Sequence, residues 1–225
     1  MTGDQNRKRL LIAAESFVDA RPAIQIARHL AGVAVSDIGG LLVERALETD
    51  TLPSFAQRVV TSSGSLALLP QASRMRQMLE SDAKAFQEQL TRLARQFSVG
   101  WSFEREPGDP VERFIHASAK WDWLVIGHRR IGSYRGCIVT IQPENQATPD
   151  IPSLSDLIAR ASHARTMSLS ASLPAEEILK RLELTCAELV LIDAARGPIR
   201  SPEQIRMLLE AARCPVFIIR PPETS

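Results

Sequence analysis

The densest cluster of groups able to hold an anion is the run Gly127-His128-Arg129-Arg130-Ile131-Gly132-Ser133, with Arg135 just beyond it. Glycine lets backbone amides approach a phosphate, while Arg, His and Ser supply charge and directional hydrogen bonds. The same run also reads as a solvated basic loop, the ordinary place for clustered charge. A second candidate is Glu15, in Ala14-Glu15-Ser16, where the first apolar run of the chain ends. Two further loops offer less. Asp193-Ala194-Ala195-Arg196-Gly197-Pro198 has one glycine, and Pro198 lacks a backbone donor. Val43-Glu44-Arg45 carries little signal in its side chains.

Catalytic sets are harder to assemble. The four histidines (His29, His116, His128, His163) are scattered, and His29 and His116 fall within amphipathic helical patterns. The G-x-S-x-G elbow, the Walker A loop and G-x-G-x-x-G are all absent. No catalytic residue is assigned. Cys137, Cys186 and Cys214 are odd in number and widely spaced, with no CxxC pair or Cys/His cluster. No metal ligand is assigned either, and reduced thiols are expected.

The elements that must position these residues alternate along the chain. Arg9–Ala14, Ile38–Val43, Trp123–Ile126, Cys137–Gln142, Glu188–Ile192 and Pro215–Ile219 are short, continuous apolar runs, as in parallel strands covered on both faces. Val99–Glu106 and Thr166–Ser172 alternate apolar and polar residues, which suits half-exposed or edge strands. Helical periodicity covers Ala20–Leu30, Ser73–Phe97, Pro110–Ala119, Leu154–Ala161, Pro174–Leu184 and Pro202–Ala212. Pro22 is expected in a first turn, and Asp109 and Ser201 stand as N-caps before a first-turn proline. Thr61–Ser65 and Pro143–Pro152 read as loops. Trp101, Trp121 and Trp123 are expected to pack around the third and fourth strands. Alternating strands and helices predict an α/β fold, an open and mainly parallel sheet flanked by helices.

Composition sets the outer limits. The 225 residues are 44% hydrophobic and 24% charged, with a formal charge of +1, so a folded core is expected and neither nucleic acid nor an anionic membrane is an expected partner. The apolar run Leu10–Ala14 is too short for a signal peptide, and nothing approaches the ~20 apolar residues of a spanning helix. A cytoplasmic location is the expectation.

Residues 108–127 and 172–193 repeat one pattern: proline, acidic residues, an amphipathic helix, a short turn and a buried strand, each after an alternating strand. In these segments the chain resembles the universal stress protein family. RLLIAAES, DIGGLLVER and WSFEREPGDPVERFIHASAKWDWLVIGHRR resemble one repeat, with a Gly-Asp-Pro helix start after the third strand and a glycine closing the fourth. AELVLIDAARGP and LLEAARCPVFIIRPP resemble the family's ending. The expected organisation is a first repeat over 1–136 and a second, shortened one over 137–225. One such domain carrying an insertion is the other arrangement that fits.

The resemblance implies a Rossmann-like fold and a regulatory or binding module in a stress response. In nucleotide-binding relatives an aspartate stands near the position of Glu15. Their glycine signature is Gly-x-x-Gly followed further on by Gly-Ser or Gly-Thr; here Gly127 and Gly132 are more widely spaced and Ser133 follows at once. That break implies no tight ATP binding and no resident cofactor. The alternative is a sensor that binds ATP or AMP through Glu15, Gly127, His128, Arg129, Arg130, Gly132 and Ser133. Enzymes of the wider superfamily use a Ser-Gly-Gly-x-Asp-Ser loop or His-x-x-His, and neither is present. A protein partner or a second copy is implied, with the last apolar strand, Pro215–Ile219, expected at a sheet edge open to pairing; internal pairing of the two repeats is the other possibility.

Overall fold

The structure, a computed structural model, describes residues 7–45, 58–60, 66–68, 72–129, 136–142 and 150–219. In chain order they form β1 (Lys8–Ala14), α1 (Phe17–Ala31), β2 (Val35–Glu44), β3 (Arg58–Val60) and β4 (Leu66–Leu68). Next come α2 (Ala72–Phe97), β5 (Gly100–Pro107), α3 (Pro110–Ser118) and β6 (Trp123–Ile126). The second half contributes β7 (Cys137–Gln142), α4 (Asp150–Ser162), β8 (Arg165–Ser170), α5 (Ala175–Glu183), β9 (Ala187–Ile192), α6 (Pro202–Ala212) and β10 (Val216–Ile218).

Eight strands form one sheet in the order β5-β2-β1-β6-β10-β9-β7-β8. Every neighbouring pair is parallel except β6 and β10, which run antiparallel. The sheet is therefore two parallel halves pointing opposite ways and joined at one seam. β3 and β4 pair separately as an antiparallel hairpin that the sequence reading did not anticipate.

The continuous apolar runs are explained by burial on both faces. Along β1, Leu10 and Ile12 join a core with α1, α2 and α4, while Leu11 and Ala13 join a second core with α3, α5 and α6. The two alternating segments became the edge strands β5 and β8, as their patterns require. Trp101 on β5 is 41% exposed, Trp121 packs over Gly39 of β2, and Trp123 meets Phe217 of β10 edge-on with ring centroids 5.6 Å apart.

Three expectations need correction. The strand expected at an open edge, β10, lies in the middle of the sheet, bonded to β6 on one side and β9 on the other. A run apolar at every position suits either place, and only the topology separates them. Helix α1 begins at Phe17 because the Ser16 hydroxyl accepts from the Asp19 amide and the Phe17 amide donates to Asp82 of α2. Pro22 therefore lies inside the helix rather than in its first turn. Helix α4 takes in Asp150–Pro152 from the proline-rich stretch expected to be a loop; the rest of that stretch and Thr61–Ser65 lie outside the described residues.

Candidate functional site

At the carboxyl ends of β1, β2 and β6, where open α/β sheets place their ligands, the chain forms a cleft of about 550 Å³. Its polar residues come from four loops and one helix. Glu15 follows β1, Arg45 follows β2, Gly108 and Asp109 lead from β5 into α3, and Gly127 and His128 follow β6. The far wall is α6, through Arg206, Leu209 and Glu210. Phe114 and Ile126 form apolar floor.

Local geometry explains the two cleft glycines. Gly108 turns the chain from β5 into α3 at φ +136°, a conformation open to glycine and strained for other residues. Gly127 donates to the Ala13 carbonyl at 2.7 Å, and a Cβ on it would collide with the Asp19 carbonyl of α1. Gly127 thus lets the end of β6 pack against the first turn of α1. Asp109 caps α3 by accepting from the Glu112 amide at 3.1 Å, with Pro110 next.

Charge in the cleft is paired. Arg45 donates through Nε and Nη2 to the two Glu15 carboxylate oxygens at 2.6 and 3.2 Å. Arg206 donates to both Asp109 oxygens at 2.9 and 3.0 Å. Burial pushes the Asp109 pKa up, but the Glu112 amide and the Arg206 charge outweigh it and hold it below the usual aspartate value. The Glu15 hydrogen bond and charge raise Arg45, which stays protonated throughout. Because β10 is antiparallel to β6, with Val216 opposite Ile126, the chain leaving α6 re-enters the sheet at this end. The cleft therefore meets the C-terminal half of α6, toward the negative end of its helix dipole, while its opposite wall is the N-terminus of α3, already capped by the Asp109 carboxylate.

The residues expected to bind an anion are divided by the fold. Glu15, Gly127 and His128 line this cleft. The His128 ring Nδ1 lies 2.9 Å from the Arg129 carbonyl. Arg129 itself donates its amide to Asp19 at 3.1 Å and lines a different groove, on the α1 face of the sheet. Arg130, Gly132 and Ser133 lie outside the described residues. Asp109, Arg206 and Glu210 were not foreseen in the site, and Arg45 was named only within a loop of little side-chain signal. Arg45 had a usable signal: adjacent parallel strands β1 and β2 bring the residues just past their ends together. Arg206 had none, since it reaches Asp109 across the seam between the halves.

The loop after β9 is closed on itself. The buried Asp193 accepts from the Ala195 amide through its side chain and from Gly197 through its carbonyl, and Arg200 donates to Gly197. None of Cys137, Cys186 and Cys214 is in a disulfide, and among the described residues no group of three or more His, Cys, Asp or Glu side chains converges as a metal site. No helix of the described residues is long and apolar enough to cross a membrane.

No family model and no curated protein matches the chain. Among solved structures, it is similar to a universal stress protein from Archaeoglobus fulgidus DSM 4304, at 12% identity, 96% of this chain, 97% of that chain and a TM-score of 0.47. It is also similar to a universal stress protein family protein from Arabidopsis thaliana with AMP bound, at 14% identity, 72% of this chain, 91% of that chain and a TM-score of 0.34.

Proposed function

We propose that this chain is a binding or regulatory module of the universal stress protein type, acting in a stress response without tight ATP binding. The observation that carries the proposal is the pairing of both cleft arginines: Arg45 bonds Glu15 and Arg206 bonds Asp109, so a phosphate entering the cleft meets each guanidinium with its charge already balanced by a carboxylate. Glu210 adds a further carboxylate to the same walls. Among the described residues the cleft lining has no Ser, Thr, Cys or Lys, and its carboxylates Glu15 and Asp109 are paired with arginines, which favours a binding role.

The strand order supports two shortened repeats, 1–136 and 137–225. In the first half the sheet strands stand in the order third, second, first, fourth (β5-β2-β1-β6). In the second, β8-β7-β9-β10 keep that order with the second strand missing and a fifth added. β10 then serves both halves, bonding to β6 as well as β9. Contacts with a protein partner or a second copy in the cytoplasm would fall to the open edges β5 and β8.

The test is a calorimetric and thermal-shift titration of nucleotide-free protein with ATP, AMP and adenosine. A ligand at 100 times its dissociation constant adds about 2.7 kcal/mol of apparent stability. No shift with ATP or AMP is the expected result. A saturable, phosphate-dependent shift would replace the proposal with a nucleotide sensor, and steady ATP turnover would make the chain an enzyme.

A further inference from the structure

A second concavity opens on the opposite face of the sheet, between α1 of the first half and α4 of the second. It encloses about 440 Å³, within the usual size for a small-molecule site. Ile26 of α1, Ile158 of α4, Ile138 of β7 and Leu189 of β9 line it, all buried members of the core on that face. Its interior is therefore aliphatic and formed by rigid elements.

Its charge is concentrated. Arg21 and Arg129 both line the groove, and neither has an ion-pair partner among the described residues. The Arg129 amide is bonded to Asp19, two residues before Arg21, so both arginines stand at the N-terminal end of α1. His29 lies near the other end of the same helix; burial and, secondarily, Arg28 lower its pKa, leaving the imidazole neutral at neutral pH. Glu188 is the carboxylate on the walls, and it is engaged in an interaction of its own. The groove thus has two exposed arginines on its walls beside an aliphatic interior.

We propose that this groove between α1 and α4 binds a small amphipathic monocarboxylate, its head held by Arg21 and Arg129 and its hydrocarbon tail laid against Ile26, Ile138, Ile158 and Leu189. Guanidinium groups recognise carboxylates through paired, charge-assisted hydrogen bonds. A tail in the aliphatic interior adds the hydrophobic contribution. Phosphate and other compact anions lack the tail, and alcohols of equal length lack the charge.

The experiment is isothermal titration of the full chain with octanoate, 1-octanol and inorganic phosphate. Octanoate is expected to bind saturably at one site, with 1-octanol and phosphate weaker by ~tenfold or more, the scale of a charged hydrogen bond or of a buried tail. Arg21→Ala/Arg129→Ala should weaken octanoate by ~tenfold or more, while Arg92→Ala, which removes one exposed charge from α2, leaves it unchanged. Unchanged melting temperatures of the unliganded variants would keep the comparison free of folding effects. Absence of saturable octanoate binding, equal binding of 1-octanol, or full affinity in the double variant would each overturn the proposal.

Discussion

Arg206 of α6 grips both carboxylate oxygens of Asp109, the N-cap of α3, at 2.9 and 3.0 Å, and in doing so ties the second half of the chain to the first. Both side chains are more than a third exposed, so solvent screens the pair. Arg206→Ala is expected to cost under about 1 kcal/mol, within the range of exposed ion pairs. Asp109→Ala loses the helix cap as well and should cost more, about 1 kcal/mol beyond the ion pair. Urea denaturation of the two variants checks the order.

Releasing the arginines should change what the cleft accepts. In Glu15→Gln/Asp109→Asn both guanidinium groups remain and their carboxylate partners do not. This variant is expected to bind inorganic phosphate or AMP at least ~tenfold more tightly than the wild type, the equivalent of about 1.4 kcal/mol. Equal affinity in a side-by-side titration would show that pairing is not what keeps phosphate out.

Acid should undo the Asp109 contacts in a predictable sense. Its folded pKa lies below the ordinary value, so the charged form stabilises the fold above the unfolded pKa. That contribution is lost as pH falls through the lowered folded value. The stability difference between wild type and Asp109→Asn should therefore be constant near neutral pH and shrink only at strongly acidic pH. Denaturation midpoints measured across that range provide the check.

Gly127→Ala would place a methyl group on the Asp19 carbonyl, a backbone atom that cannot swing aside. Overpacking of this kind costs about 1–3 kcal/mol. The expected sign is destabilising, with the first turn of α1 losing protection in hydrogen exchange before the rest of the helix.

Phe217→Ala removes a fully buried ring that packs against Trp123 across the β6–β10 seam. A loss of about 3–5 kcal/mol is expected. If both halves depend on this seam, unfolding should remain a single transition at a lower midpoint. Two separated transitions would show that the halves are independent.

Much of the architecture was legible because each buried strand is flanked by helices and reads as an unbroken apolar run. The bounds of β6, β7 and α6 follow from Trp123–Ile126, Cys137–Gln142 and Ser201-Pro202 alone. The site was less legible, and the reason is geometric. His128 and Arg129 are neighbours just past the end of β6, yet they line different concavities. A run of basic residues cannot declare which of its members share a face. Arg206 and Asp109 lie far apart in sequence, and no local pattern marks them as partners.

The position of β10 has a consequence for how the chain is made. It is the last described strand to be synthesised, yet it occupies the middle of the sheet. Until it emerges, β6 and β9 each present a bare apolar rim to solvent or to a chaperone, and neither rim has its other neighbour. Nascent chains stalled before Val216 should therefore be the form most prone to stick to one another, and the closing of this seam should be the step that commits both halves at once.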